Sequence, residues 1–131
     1  MNMKNWLQEQ MQAETRKALP ILSFPCAQLL GISVKELIAD SDAQAKGMYE
    51  IAKRCDTAAA VSMMDLSVEA ECFGAQILTY DDEVPAVTGS VVETMEDAEA
   101  LVVPKVGDCR TGLYIDAMLN FFKIQISNTA F

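Results

Sequence analysis

A chain of 131 residues, 51% of them hydrophobic, is long enough for one ordinary domain with a sizeable core, which excludes low-hydrophobicity disorder. Nineteen acidic against ten basic residues give a formal net charge of -9, and the stretch from Cys55 to Pro104 holds eleven Asp and Glu with no Lys or Arg. Nucleic-acid binding needs Lys and Arg to displace condensed counterions, so this surface argues against a phosphate-backbone partner and reads as a solvated face.

Four cysteines (Cys26, Cys55, Cys72 and Cys109) form no CxxC, and histidine is absent. Structural zinc prefers thiolate and imidazole ligands in short paired spacings, so no metal site is expected on this chain. A disulfide framework is not expected either, because the chain is not a small Cys-dense one. Reduced, mostly buried thiols point to the cytoplasm. The first ten residues lack the apolar core of a signal peptide, and no run approaches the roughly twenty apolar residues of a membrane helix.

In chain order, Leu7, Met11 and Ala18 recur near a helical period and predict a helix over 3–18, stopped by Pro20. Residues 20–24 are a short apolar run of strand type, closed by Pro25. A helical turn near 26–30 ends at Gly31, and Ser33 is placed to cap a helix over 34–39. The clearest helix is 42–55. Ala45, Met48, Tyr49, Ala52 and Cys55 line one face, and Asp42, Lys46, Glu50 and Arg54 line another with alternating sign. Residues 57–63 are apolar without alternation, as in a strand covered on both faces. Asp65 follows, then a short helix over 67–73 ended by Gly74. Segments 75–80 and 84–92 are strand-like, divided by Asp81-Asp82-Glu83, and Pro85 marks an edge. Thr94 caps a helix over 95–101, with Asp97 three residues on as a variant capping box. Gly107-Asp108-Cys109-Arg110-Thr111-Gly112 is a loop that opens a helix over 111–124, and 129–131 read as the start of another strand.

Buried strands alternating with helices predict α/β architecture with parallel βαβ units. Only two such strands are complete, and two strands rarely make a stable sheet. A (β/α)8 barrel takes about 250 residues, so a barrel could be only partly present. The chain is therefore expected to be an incomplete piece of a larger enzyme, with a helical extension over 1–19 and a barrel portion over 20–131.

Asp65 is the sharpest candidate for chemistry, because α/β barrels place catalytic groups just past the ends of their strands. Glu69, one helical turn later, could share its face, and a carboxylate pair can hold a proton or anchor a cationic or N–H-rich ligand. The alternative is that Asp65 caps the helix over 67–73 and Glu69 is solvated. Arg110, in a Gly-flanked loop at a helix start, could hold a phosphate or carboxylate; otherwise Asp108 or Thr111 is simply a cap. Met63 and Met64 either line a pocket for a flat apolar ligand or fill the core. Without histidine no cysteine or serine has an obvious activating base.

Met64-Asp65-Leu66-Ser67-Val68-Glu69-Ala70-Glu71-Cys72-Phe73-Gly74-Ala75 resembles the Asp-x-x-x-Glu-Ala-x-x-x-Gly segment of the uroporphyrinogen decarboxylase superfamily, which includes corrinoid (cobalamin)-dependent methyltransferases. Asp82-Glu83-Val84-Pro85 and the 107–112 loop add to the likeness, which runs from about Pro20 to Phe131. The resemblance implies the N-terminal part of a (β/α)8 TIM barrel with its active site at the C-terminal mouth. In the decarboxylases, which serve tetrapyrrole biosynthesis, the aspartate matching Asp65 binds pyrrole N–H groups. The same enzymes carry an Arg-Gln-Ala-Gly-Arg-Tyr segment whose arginines grip substrate carboxylates. Here that region reads Phe24-Pro25-Cys26-Ala27-Gln28-Leu29-Leu30-Gly31, with no arginine.

That departure favours the methyltransferase branch, which moves methyl groups between a corrinoid protein and a thiol or tetrahydrofolate and often uses zinc held by the C-terminal half. The expectation is a fragment of such an enzyme, inactive alone and binding no cofactor itself. Asp65 would be catalytic, and Glu69, Arg110 and Met64 would contact substrate. A decarboxylase fragment and a small non-enzymatic α/β interaction domain are the alternatives. Self-association of the isolated chain is expected from its open strand start and the apolar 111–124 helix.

Overall fold

The computed structural model describes residues 2–129. The first helix, α1 (Met3–Gln12), is capped by the Asn2 side chain, which accepts from the Lys4 N–H. It buries no residue and ends at Gln12 rather than at residue 18. Short helices are marginal without an apolar face to pack, and Leu7 and Met11 stay exposed.

The two predicted buried strands do not form a ladder. They do run side by side in the same direction: the Ala58 N–H donates to the Ala18 carbonyl at 2.9 Å, and the Met64 N–H donates to Ser23 Oγ at 2.8 Å. A parallel pair needs evenly spaced slanted bonds and cover on both faces. Here a serine hydroxyl accepts one of the bonds. Met63 and Asp65 turn inward while Ser62, Met64 and Leu66 turn outward, so the second segment is covered on one face only.

Helices supply that cover. Helix α2 (Cys26–Leu30) ends at Gly31 with a left-handed φ of 67°. Helix α3 (Val34–Ala39) has a full Ser33–Glu36 capping box. Helix α4 (Ser41–Cys55) is capped by Asp40, which accepts from the Asp42 and Ala43 N–H groups, and carries Lys53 and Arg54 in its last turn. Beyond it, α5 (Ser67–Cys72) leads into an antiparallel hairpin of β1 (Gln76–Leu78) and β2 (Ala86–Thr88), with Ile77 opposite Val87. Pro85 stands just before β2, outside the ladder, as its missing N–H requires. Helix α6 (Met95–Ala100) has the predicted Thr94–Asp97 capping box and buries nothing.

Helix α7 (Thr111–Thr129) is longer than predicted, and residue 129 is helical instead of starting a strand; Ala130 and Phe131 lie outside the described residues. Near its end the Asn128 side-chain amide donates to the Ile124 carbonyl and the Ser127 hydroxyl to the Lys123 carbonyl. The hairpin is the only sheet among the described residues. No helix among them is long and apolar enough to cross a membrane.

The core has two parts. Cys26, Ala27, Val34, Leu37, Ile38 and Met63 join α2 and α3 to the 57–63 segment, so Met63 is core filler. Ala45 and Met48 of α4 pack on Ala117 and Phe121 of α7. Gly47 lets α2 cross α4 closely: a β-carbon there would lie 2.9 Å from Cys26 Cβ and closer still to its Sγ. Alanine would favour the helix by about 1 kcal/mol. Overpacking a filled site costs about 1–3 kcal/mol, and the fully buried Cys26 has no room to yield. Gly47→Ala should therefore lower the melting temperature in a thermal unfolding scan.

Candidate functional site

Asp65 follows the inward-turning Met63 at the end of the strand-like segment, and its side chain is 1% exposed. An isolated buried carboxylate costs far more than folding can supply unless donors surround it. The fold provides four. The Ser67 N–H and hydroxyl donate to Oδ1 at 2.9 and 2.5 Å. Arg110 Nη1 and the Tyr114 hydroxyl donate to Oδ2 at 2.8 and 2.6 Å. Arg110 also donates from Nη2 to Ser67 Oγ at 2.8 Å and from Nε to Glu71 Oε2 at 2.6 Å.

Local sequence explains each placement. Ser67 and Glu71 are four apart on α5, so both face the guanidinium. Arg110 and Tyr114 are four apart across the start of α7, and the Tyr114 N–H donates to the Arg110 carbonyl in that first turn. Gly107 and Cys109 take left-handed φ values of 96° and 49°, which turn the loop inward ahead of the helix.

Burial pushes the Asp65 carboxyl up, but the hydrogen bonds from Ser67, Tyr114 and Arg110 outweigh it and hold the group below the usual carboxylate range. Burial works against the Arg110 charge, yet the bonds and charges of Glu71 and Asp65 raise its pKa and keep it protonated. Burial, then the bond to Asp65 and its charge, push the Tyr114 phenol far up, so it stays a donor.

A cleft of about 480 Å³ opens between the 61–66 segment, α4 and α7. Met48, Met63, Met64, Val68, Tyr114 and Met118 are among its lining residues, together with Asp65 and Glu69 as its only charged ones. Gln44 also lines it. That side chain is fully buried, and its carboxamide has no hydrogen-bond partner among the described residues.

The structure brings Asp65 and Arg110 together and leaves Glu69 exposed on the rim. Asp65 does not share a helical face with Glu69, because α5 begins only at Ser67; the carboxylate that joins the cluster is Glu71. Met64 lines the cleft at 49% exposure. Asp65 caps the first turn of α5 through Oδ1, as the capping alternative expects, and its Oδ2 holds Arg110 and Tyr114 of the same chain. Arg110 faces its own chain's carboxylates rather than an outside phosphate. Sequence reasoning names none of Ser67, Glu71, Tyr114 and Gln44 as site residues, and Tyr114 only as part of a helix face. The four-residue spacings of Ser67 with Glu71 and of Arg110 with Tyr114 were the available signal.

Among the described residues no three His, Cys, Asp or Glu side chains are placed to hold a metal ion. Asp65 and Glu71 close on a guanidinium instead of an open centre. These residues therefore do not fit a zinc ion.

A helix-walled cleft with a buried carboxylate at the end of a strand-like segment is compatible with part of an α/β fold. The family model for uroporphyrinogen decarboxylase (URO-D) matches residues 14–121, well over half of the chain, and the chain belongs to that family. No curated protein and no solved structure matches it.

Removing Asp65 leaves buried donors unpaired, a loss of about 3 kcal/mol for one partner of such a pair. Because the folded carboxyl is held below its unfolded value, its stabilisation is complete above pH 3.8 and is lost as pH falls through the lower folded value. Asp65→Asn should lower the melting temperature at neutral pH and flatten its acid dependence in that window, read by circular dichroism.

Proposed function

We propose that this chain forms one wall of the pocket in a larger barrel enzyme of the corrinoid-linked methyltransferase type, acting in the cytoplasm. The observation that carries this reading is the charge of the cleft. Its lining contains Asp65 and Glu69 and no Lys or Arg. The nearby Arg110 is already bonded to Asp65 and Glu71. A porphyrinogen bearing many carboxylates needs cationic partners, and this wall offers repulsion instead. The 24–31 region, where the decarboxylase arginines are expected, is an apolar segment with buried Cys26 and Ala27 packed into the core.

Asp65 accepts four hydrogen bonds, which fills the capacity of a carboxylate. Binding pyrrole N–H groups would require Arg110 or Tyr114 to leave. Asp65 positions Tyr114 at the cleft and holds Arg110 behind it. Met64 and Glu69 meet the substrate from the exposed side, and a corrinoid protein supplies or receives the methyl group. The test uses the full-length protein that carries this wall. Incubation with methylcobalamin and a thiol or tetrahydrofolate should yield demethylated cobalamin, and incubation with uroporphyrinogen should yield no decarboxylated product. The opposite pattern would establish the decarboxylase.

The outward face of the 57–66 segment and residues 101–106 belong, in this reading, against the rest of the barrel. Leu66 is 81% exposed and Val106 92%, more apolar surface than a free domain carries without consequence. The 131-residue chain alone should be inactive and should self-associate, so light scattering is expected to give a mass well above the 14.3 kDa of one chain.

A further inference from the structure

The four cysteines fall into different settings. Cys26 is fully buried against Gly47, and burial pushes its thiol up to about 11. Cys55 is exposed at the end of α4. Cys72 and Cys109 are different, because 107–110 folds back onto the last turn of α5. The Cys72 thiol donates to the Asp108 carbonyl at 3.3 Å, which sets it beside the backbone of Cys109, the next residue. Cys72 is partly exposed and Cys109 exposed, so a small reagent reaches both. Cys109 also holds a left-handed φ of 49°, a conformation that a β-carbon disfavours. The flanking residues are locked together: Glu71, just before Cys72, is bonded to Arg110, just after Cys109, at 2.6 Å.

We propose that Cys72 and Cys109 are a modification site: a dithiol that a low-molecular-weight disulfide, such as oxidised glutathione, converts to an intrachain disulfide tying α5 to the loop before α7. One thiolate attacks the reagent, which breaks its S–S bond and expels one thiol. The second protein thiolate then attacks the mixed disulfide and expels the other. The Sγ–Sγ bond forms, two protons and two electrons leave the protein, and the reagent is reduced to two thiols. The neighbouring Cys72 thiol and the charges of Glu71 and Asp108 push the Cys109 thiol up, so little thiolate forms at neutral pH and the exchange is slow.

The link closes the loop that holds the hairpin and α6, and it pins the backbone beside Arg110. It thereby fixes the guanidinium on Asp65 and Glu71.

The test is oxidation of the intact chain with oxidised glutathione, followed by digestion and mass spectrometry without reductant. A peptide pair joined through Cys72 and Cys109 is expected, with the loss of two hydrogens and two alkylatable thiols. The link should vanish in Cys72→Ser and Cys109→Ser, persist in Cys55→Ser and reverse with dithiothreitol. The oxidised chain should melt above the reduced one, because the cross-link restricts the unfolded state. Stable glutathione adducts at either residue, unreacted thiols, or a link through Cys26, Cys55 or a second chain would each overturn the proposal. Circular dichroism of each serine variant separates a lost thiol from a lost fold.

Discussion

One buried carboxylate organises this part of the molecule. The Asp65 side chain is almost wholly out of water and still charged, and that state is stable only while four donors face it. They come from three places: the first turn of α5, the residue before α7 and the first turn of α7. Each must be held where the carboxylate can use it, so the charge fixes the approach of the two helices. Glu71 balances the second edge of Arg110, and the cluster carries two carboxylates around one guanidinium. The exposed Lys17–Asp56 pair is an ion pair of a different kind. Water and side-chain entropy leave such a pair worth little.

The core shows why the cluster sits where it does. Ala117 and Phe121 bring α7 down onto Ala45 and Met48 of α4, and this packing sets the height at which Tyr114 meets Asp65. Asn120, one further turn along, donates to Asp42 at 2.7 Å and fixes the rotation of α7 against the start of α4. The cleft is the space left where α4 and α7 diverge beside the 61–66 segment. Its methionines make that space soft and adaptable. The unpartnered Gln44 carboxamide is its one buried polar group without a mate among the described residues.

Much of the helical layout was legible in the sequence, because its signals are local. Ser33, Thr94 and Gly31 act as the caps and stop their residue types predict. The face of α4 was correct at Ala45 and Met48 and wrong at Cys55, which is exposed in the last turn. The strands were harder. An apolar run such as 57–63 has a strand's composition, but a ladder depends on neighbours that composition does not reveal. The end of α1 failed for the same reason, since its apolar residues found nothing to pack on. At the site, Asp65 and Arg110 stood out by position and by charge. Their meeting across forty-five residues did not, because it follows from how α7 packs on α4. Glu69 was chosen on helical spacing counted from Asp65, whereas the helix counts from Ser67.

The span of these contacts bears on the order of assembly. α2, α3 and α4 are close in sequence and can dock early, before long loops need to close. The bonds from Asn120 to Ser41 and from Tyr114 to Asp65 cross seventy-nine and forty-nine residues. Their loop-closure cost must be met before α7 seats. Until then Asp65 has only its Ser67 donors and the α4 face lies open, so the pocket wall closes only through contacts between distant parts of the chain.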